Sequence, residues 1–247
     1  MKNTLILKSF GGLDMQLMDL FKTNQPSEAE LQHQVHYQML IIFKSFFSML
    51  SGDNSLDSVG EMTDALLETP AFALTAIHLK RDPACGKLIS DRYIPPSHDL
   101  DKLLTYPQDS LGYIYASTMK KTGLNPNLHG GMKAESDAHY VELRLSQTHD
   151  IWHILTGFDT SLMGEIGLQA FHLPQFPYPL ATMLVANSLM SSTLLAPQEL
   201  PPLLEAIAQG LEMGKTVKPL FAQKWEEAWE KPLSQWQREL NIQPKLP

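Results

Sequence analysis

One cysteine, Cys85, stands in 247 residues, so the chain alone can build no internal disulfide, cysteine-rich zinc site or cysteine-ligated iron–sulfur cluster. Positive charge is also scarce. Nineteen Lys and Arg face 27 Asp and Glu, a net charge of −8, which argues against a sequence-independent nucleic-acid binder and against a polybasic membrane anchor. Long apolar runs are missing as well. The longest uncharged stretch, 166–198, is broken by Pro174, Pro177 and Pro179, and its remainder carries Asn187, Ser188, Ser191, Ser192 and Thr193, which is short and polar for a membrane span. The first residues lack both the apolar run of a secretory signal and the arginine-rich, serine-rich character of a transit peptide, so a cytoplasmic, bacterial-type protein is the simplest reading. No repeat or low-complexity tract is visible. Any metal must be held by histidine and carboxylate.

Period-2 alternation is scarce and helix formers dominate, so the fold class is all-α, read as a single multi-helix domain over residues 1–247. Ser27-Glu28-Ala29-Glu30 has the form of a capping box and opens a helix over about 28–50. Further helices are expected over about 55–68, 71–79, 99–104, 110–121, 138–156, 160–172, 180–196 and 201–213, then two short ones within 221–242. Residues 81–97, with Pro83, Gly86, Pro95 and Pro96, read as a connection holding at most one helical turn. Gly130-Gly131 reads as an ordinary loop rather than a phosphate nest.

The informative stretch is 144–172. At about 100° per residue, His149 and His153 lie about 40° apart on one helix face, and Asp150 falls about 60° from His153. Two imidazoles at i and i+4 with a carboxylate in the same arc can close on one divalent cation. Glu165 would sit about 18 Å away if the helix continued. Gly157 can end the first helix, and Asp159, Thr160 or Ser161 can cap the next, giving a helical hairpin whose second arm returns Glu165 to the histidines. Gly164 and Gly167 would let the arms approach. Arg144 falls about 180° from His153, which excludes it as a direct ligand and leaves it to support the ligands from outside or to packing. His172, about 10 Å along the axis from Glu165, and His33 with His36 need no ligand to explain them.

The pattern His149-Asp150-x-x-His153, eleven residues, Glu165 resembles the signature of the Coq4 family of quinone-biosynthesis proteins. Arg144, Trp152, Leu155-Thr156-Gly157, Gly164 and Ala170-Phe171 agree with it. So do Asp109-Ser110-Leu111-Gly112, Tyr115, Met119, Pro219-Leu220, Trp225-Glu226 and Pro232-Leu233, and the similarity covers about 107–242. Gln147 stands where an acidic residue is expected near the motif.

The resemblance implies an all-helical protein holding Zn2+, or another divalent ion such as Fe2+, on His149, Asp150, His153 and Glu165. It also implies a polyprenyl-tailed quinone precursor as ligand, other quinone-biosynthesis enzymes as partners, and work at a membrane face. Apolar segments 39–47 and 180–196 can line a groove for such a tail, with the metal notch as its polar end. Two functions stay open. One is an enzyme in which the ion polarises a prenylated hydroxybenzoate during oxidative decarboxylation at ring carbon C1, with Asp150 as ligand or base. The other is a non-catalytic scaffold that presents the lipid, its metal structural. A metalloprotease-like hydrolase fits less well, because Asp150 replaces the glutamate base and no sheet is expected. Oligomeric state is left open, with a homodimer as the working expectation.

Overall fold

The computed structural model describes residues 28–53, 55–127 and 134–245. Among them are eleven α-helices and no strand, an all-α fold. They are α1 (Glu28–Leu50), α2 (Leu56–Leu67), α3 (Pro70–Leu79), α4 (Pro83–Asp91), α5 (Leu100–Leu103), α6 (Leu111–Thr122), α7 (Asp137–Thr156), α8 (Leu162–Gln175), α9 (Pro179–Leu195), α10 (Leu200–Thr216) and α11 (Leu233–Leu240).

Helix starts follow local capping chemistry. Ser55, Asp99, Ser110, Ser136 and Ser161 each accept a hydrogen bond from a backbone N–H three residues on, satisfying a donor the helix cannot. Gly123 and Gly157 end α6 and α7 with φ of 72° and 76°. The capping box at Ser27 and the Gly130-Gly131 loop lie outside the described residues.

Three expectations are corrected. Residues 83–91 are a helix, because Asp82 caps it through the N–H groups of Ala84 and Cys85 while Pro83 occupies the first position, where a missing N–H costs nothing. Around Trp225 there is only a 3-10 turn, Trp225–Glu227, and not a short α-helix. In addition, α10 continues past Gly214 to Thr216, and Gly214 serves packing instead. A Cβ at Gly210 would overlap the carbonyl oxygen of Gly167, and one at Gly214 that of Phe171. The α8 and α10 backbones therefore touch, in the most extensive helix pairing of the fold.

Helix α7 runs through the middle, against α3, α4, α6, α8 and α11, and thirteen of its twenty residues are buried. One apolar cluster extends from Ile42 on α1 to Ile242 beyond α11, with Trp152 of α7 inside it. The segment leading into α11 is clamped to the start of α6: Gly112 N–H donates to Trp229 O at 2.8 Å and Leu233 N–H to Asp109 O at 2.9 Å. This buried setting holds the polar face of α7 in one position.

Candidate metal centre

The loop of residues 157–161 reverses the chain between α7 and α8, and the hairpin brings Glu165 to the two histidines. Glu165 Oε2 lies 3.3 Å from His149 Nε2 and 3.3 Å from His153 Nε2, and the two Nε2 atoms are 3.1 Å apart. His153 is buried, whereas His149 and Glu165 are about one-third exposed, so the triad opens to one side. Gly164 and Gly167 do admit a close approach, but of the linking loop: a Cβ at Gly167 would come within 2.5 Å of the Phe158 ring, and one at Gly164 would overlap the Asp159 backbone.

The donor chemistry suits a cation. The Phe158 carbonyl, 2.8 Å from His153 Nδ1, can only accept, so Nδ1 carries the proton and neutral His153 presents a bare Nε2. That lone pair faces His149 Nε2 and a carboxylate oxygen. Four ligands about 2.0–2.1 Å from a tetrahedral ion stand about 3.3–3.4 Å apart, since a tetrahedron's edge is about 1.6 times its radius. Edges of 3.1, 3.3 and 3.3 Å match three corners of such a figure. His149, His153 and Glu165 can hold one metal ion. Asp150 lies outside this three-residue group, half-buried on the adjoining turn. Its charge reaches Tyr115, whose hydroxyl is pushed up first by burial and then by Asp150 and Glu226.

Charge in the site is mutually adjusted. Burial opposes ionisation of Glu165, but interaction with the His149 and His153 rings outweighs it and holds the carboxyl at about 2. His153 moves up despite burial because of Glu165. His172, stacked on Trp152 with centroids 4.8 Å apart, is pushed down to about 3 by burial and by His149, consistent with a core residue. Arg144 points away and pairs with Glu226, as its position on the helix requires.

Glu142 was not legible as part of this face, although its spacing carried the signal. Residues 142, 146, 149 and 153 fall within about 60° of arc. Glu142 is buried, accepting from Tyr178 Oη at 2.8 Å and Ser146 Oγ at 3.1 Å. Burial pushes its carboxyl up, against the hydrogen bonds and the His149 charge. A raised folded value means that its contribution is most favourable at low pH and declines as pH rises through that value. Glu142→Gln cannot ionise, so its stability relative to wild type should be higher at pH 8 than at pH 5. Urea melts at the two pH values check this; a pH-independent difference would contradict it.

Residues 28–245 match the family model described as coenzyme Q (ubiquinone) biosynthesis protein Coq4. The chain belongs to the Coq4 family. This Coq4-family chain is 26% identical over 227 residues to "Ubiquinone biosynthesis protein COQ4, mitochondrial" of Zygosaccharomyces rouxii, covering 85% of the chain and 64% of the relative. It is 28% identical over 171 residues to the COQ4 homolog of Rattus norvegicus, covering 67% and 63%. In both cases it spans less than two thirds of the relative's length. A crystal structure of a "Putative ubiquinone biosynthesis protein" from Nostoc punctiforme PCC 73102 superimposes with a TM-score of 0.75 at 32% identity, covering 82% of this chain and 95% of that one. The Coq4-family chain thus shares fold and sequence with proteins named for ubiquinone biosynthesis.

Two clefts, of about 590 and 630 Å³, open elsewhere: one beside Ile41, Asp64 and His139, the other beside Met213, Gln243 and Lys245. The two apolar segments expected to line a groove do pack together, with Asn187 Nδ2 donating to Phe46 O at 2.7 Å. Leu40, Phe43 and Phe47 of α1 and Met190, Leu194 and Leu195 of α9 are exposed. No described helix is long and apolar enough to cross a membrane.

Proposed function

We propose that residues 1–247 form one domain that works in ubiquinone biosynthesis as a metal-dependent protein acting on a polyprenyl-tailed hydroxybenzoate. The observation that carries this reading is the triad of His149, His153 and Glu165, whose donors match three corners of a tetrahedron; on this reading the fourth position belongs to a substrate oxygen. Structural zinc sites close all four positions with protein, whereas catalytic ones keep one open. When bound, a divalent ion there supplies Lewis acidity toward a phenolate or carboxylate oxygen. His153 Nδ1–H, held by Phe158, keeps Nε2 aimed inward, and Asp150, outside the triad, is free to take a proton as the base. Zinc has no redox chemistry, so oxidative decarboxylation at C1 requires dioxygen as oxidant with iron or another redox-active metal, or a partner that supplies the oxidation.

A non-catalytic scaffold is the second reading, favoured by the exposed apolar side chains of α1 and α9. Such surface seats a prenyl tail or rests on a bilayer, giving a cytoplasmic protein peripheral at the membrane face that presents its lipid to other quinone-biosynthesis enzymes, as a homodimer or alone. The test is to incubate purified protein of known metal content with prenylated hydroxybenzoate, aerobically and with a reductant, and to follow loss of CO2 by mass spectrometry. Turnover by wild type and its loss in Asp150→Asn are expected. A metal-loaded wild type that returns the substrate unchanged, even with pathway partners added, leaves the scaffold.

A further inference from the structure

A helix leaves its last carbonyls without intrahelical partners, and at the end of α7 those groups are buried beneath the chain's own C-terminal segment. Gly157 N–H takes His153 O at 2.9 Å, Gln237 Nε2 takes Leu155 O at 3.0 Å, and Lys245 N–H takes Thr156 O at 2.8 Å. Thr156 is fully buried. Ile242 is buried too and ties the start of the segment to Gln237 O at 2.8 Å. Residues 242–245 thus run as a strap across the turn that follows α7. Contact is close enough that a Cβ on Gly157 would lie 2.5 Å from Lys245 O, and φ of 76° independently asks for glycine there. The next residue, Phe158, is gripped from the other side by Gly167 and supplies the carbonyl that holds His153 Nδ1. The Lys245 ammonium lies 5.8 Å from the Phe158 ring centroid.

We propose that the strap of residues 242–245 is a positioning element for His153: by pinning the 157–158 turn it holds the Phe158 carbonyl on Nδ1, and so keeps Nε2 facing His149 and Glu165. This rests on the reading of the triad as a metal centre. The partner of a metal-binding imidazole's second nitrogen sets its tautomer and orientation, and losing such a partner typically costs about 10–100-fold in affinity. Because the contact is made by a backbone N–H, the effect belongs to the main chain at 245 and not to the lysine side chain.

Three variants test it: Lys245→Pro, which removes the N–H; Lys245→Ala, which keeps it; and a truncation after Ile242. Zn2+ affinity by chelator competition should fall about 10–100-fold in Lys245→Pro and in the truncation, and stay near wild type in Lys245→Ala. Nitrogen-15 spectra of the metal-free protein, taken at a pH where the imidazole is neutral, should show His153 protonated at Nδ1 in wild type and Lys245→Ala, and a mixture of tautomers in the other two. Circular dichroism should show all four folded. Should Lys245→Pro and the truncation keep both affinity and tautomer, the strap has no positioning role. A folded wild type that binds no Zn2+ would instead defeat the metal reading, and the metal-free spectra would still decide the strap.

Discussion

Arg144→Ala is expected to destabilise the protein by about 3–5 kcal/mol, because it strands a buried carboxylate. Arg144 and Glu226 have side chains 1% and 0% exposed. The guanidinium donates to Glu226 Oε1 at 2.7 Å and to Oε2 at 3.0 Å, and also to Gln223 O at 2.8 Å. Without it the nearest cation-forming group is His98, whose Nε2 is 3.8 Å from the carboxylate. Burial works against the charge on Glu226, yet His98 and Arg144 hold its carboxyl down at about 2. A depressed folded value gives stability that is fully present above the ordinary value of 4.5 and is lost as pH falls toward 2. Wild type should therefore lose stability more steeply than Glu226→Gln across that window. Removing both charges in Arg144→Met with Glu226→Gln should recover most of the loss, since a buried pair is worth far less than the penalty for breaking it. Denaturant melts decide: a single variant within about 1 kcal/mol of wild type would show that water reaches Glu226 and the pair is not isolated.

His153→Ala should weaken Zn2+ binding by more than about 100-fold, since outer contacts alone are worth about 10–100-fold and this removes a ligand outright. His149→Ala and Glu165→Gln should behave alike, because each takes away one of three converging donors. Asp150→Asn should stay within a few-fold of wild type in binding, because its carboxylate is outside the triad. Isothermal titration on protein shown to be folded gives the comparison. Equal binding by His153→Ala and wild type would place the ion elsewhere or nowhere.

Much of the fold was legible residue by residue. Ser55, Ser110, Ser136 and Ser161 are local caps, and Gly123 and Gly157 local stops, because each needs only its own neighbours to satisfy a helix end. Other local signals carry two meanings. Pro83 breaks a helix from inside and begins one from its first position, and only the hydrogen bonds of Asp82 choose between them. Gly214, one residue past the helix expected over 201–213, is a contact and not a stop, since what it accommodates is the backbone of Phe171 on another helix.

The candidate site divides in the same way. Sequence by itself determined an all-α chain without cysteine chemistry, the shared face of His149 and His153, and the exclusion of Arg144 from that face, for these follow from 3.6 residues per turn. Tertiary structure decided that Glu165 completes the triad while Asp150 stands beside it. It also decided that Glu226 neutralises Arg144, that Phe158 orients His153, and that Lys245 lies across the turn between them. Those pairings join residues up to 89 positions apart, as from Thr156 to Lys245. Periodicity reports which way a side chain faces on its own helix. Which distant segment meets it depends on how the helices pack, and here that is governed by Gly157, Gly164, Gly167 and Gly210, where a missing Cβ lets backbones come within contact of one another or of a ring.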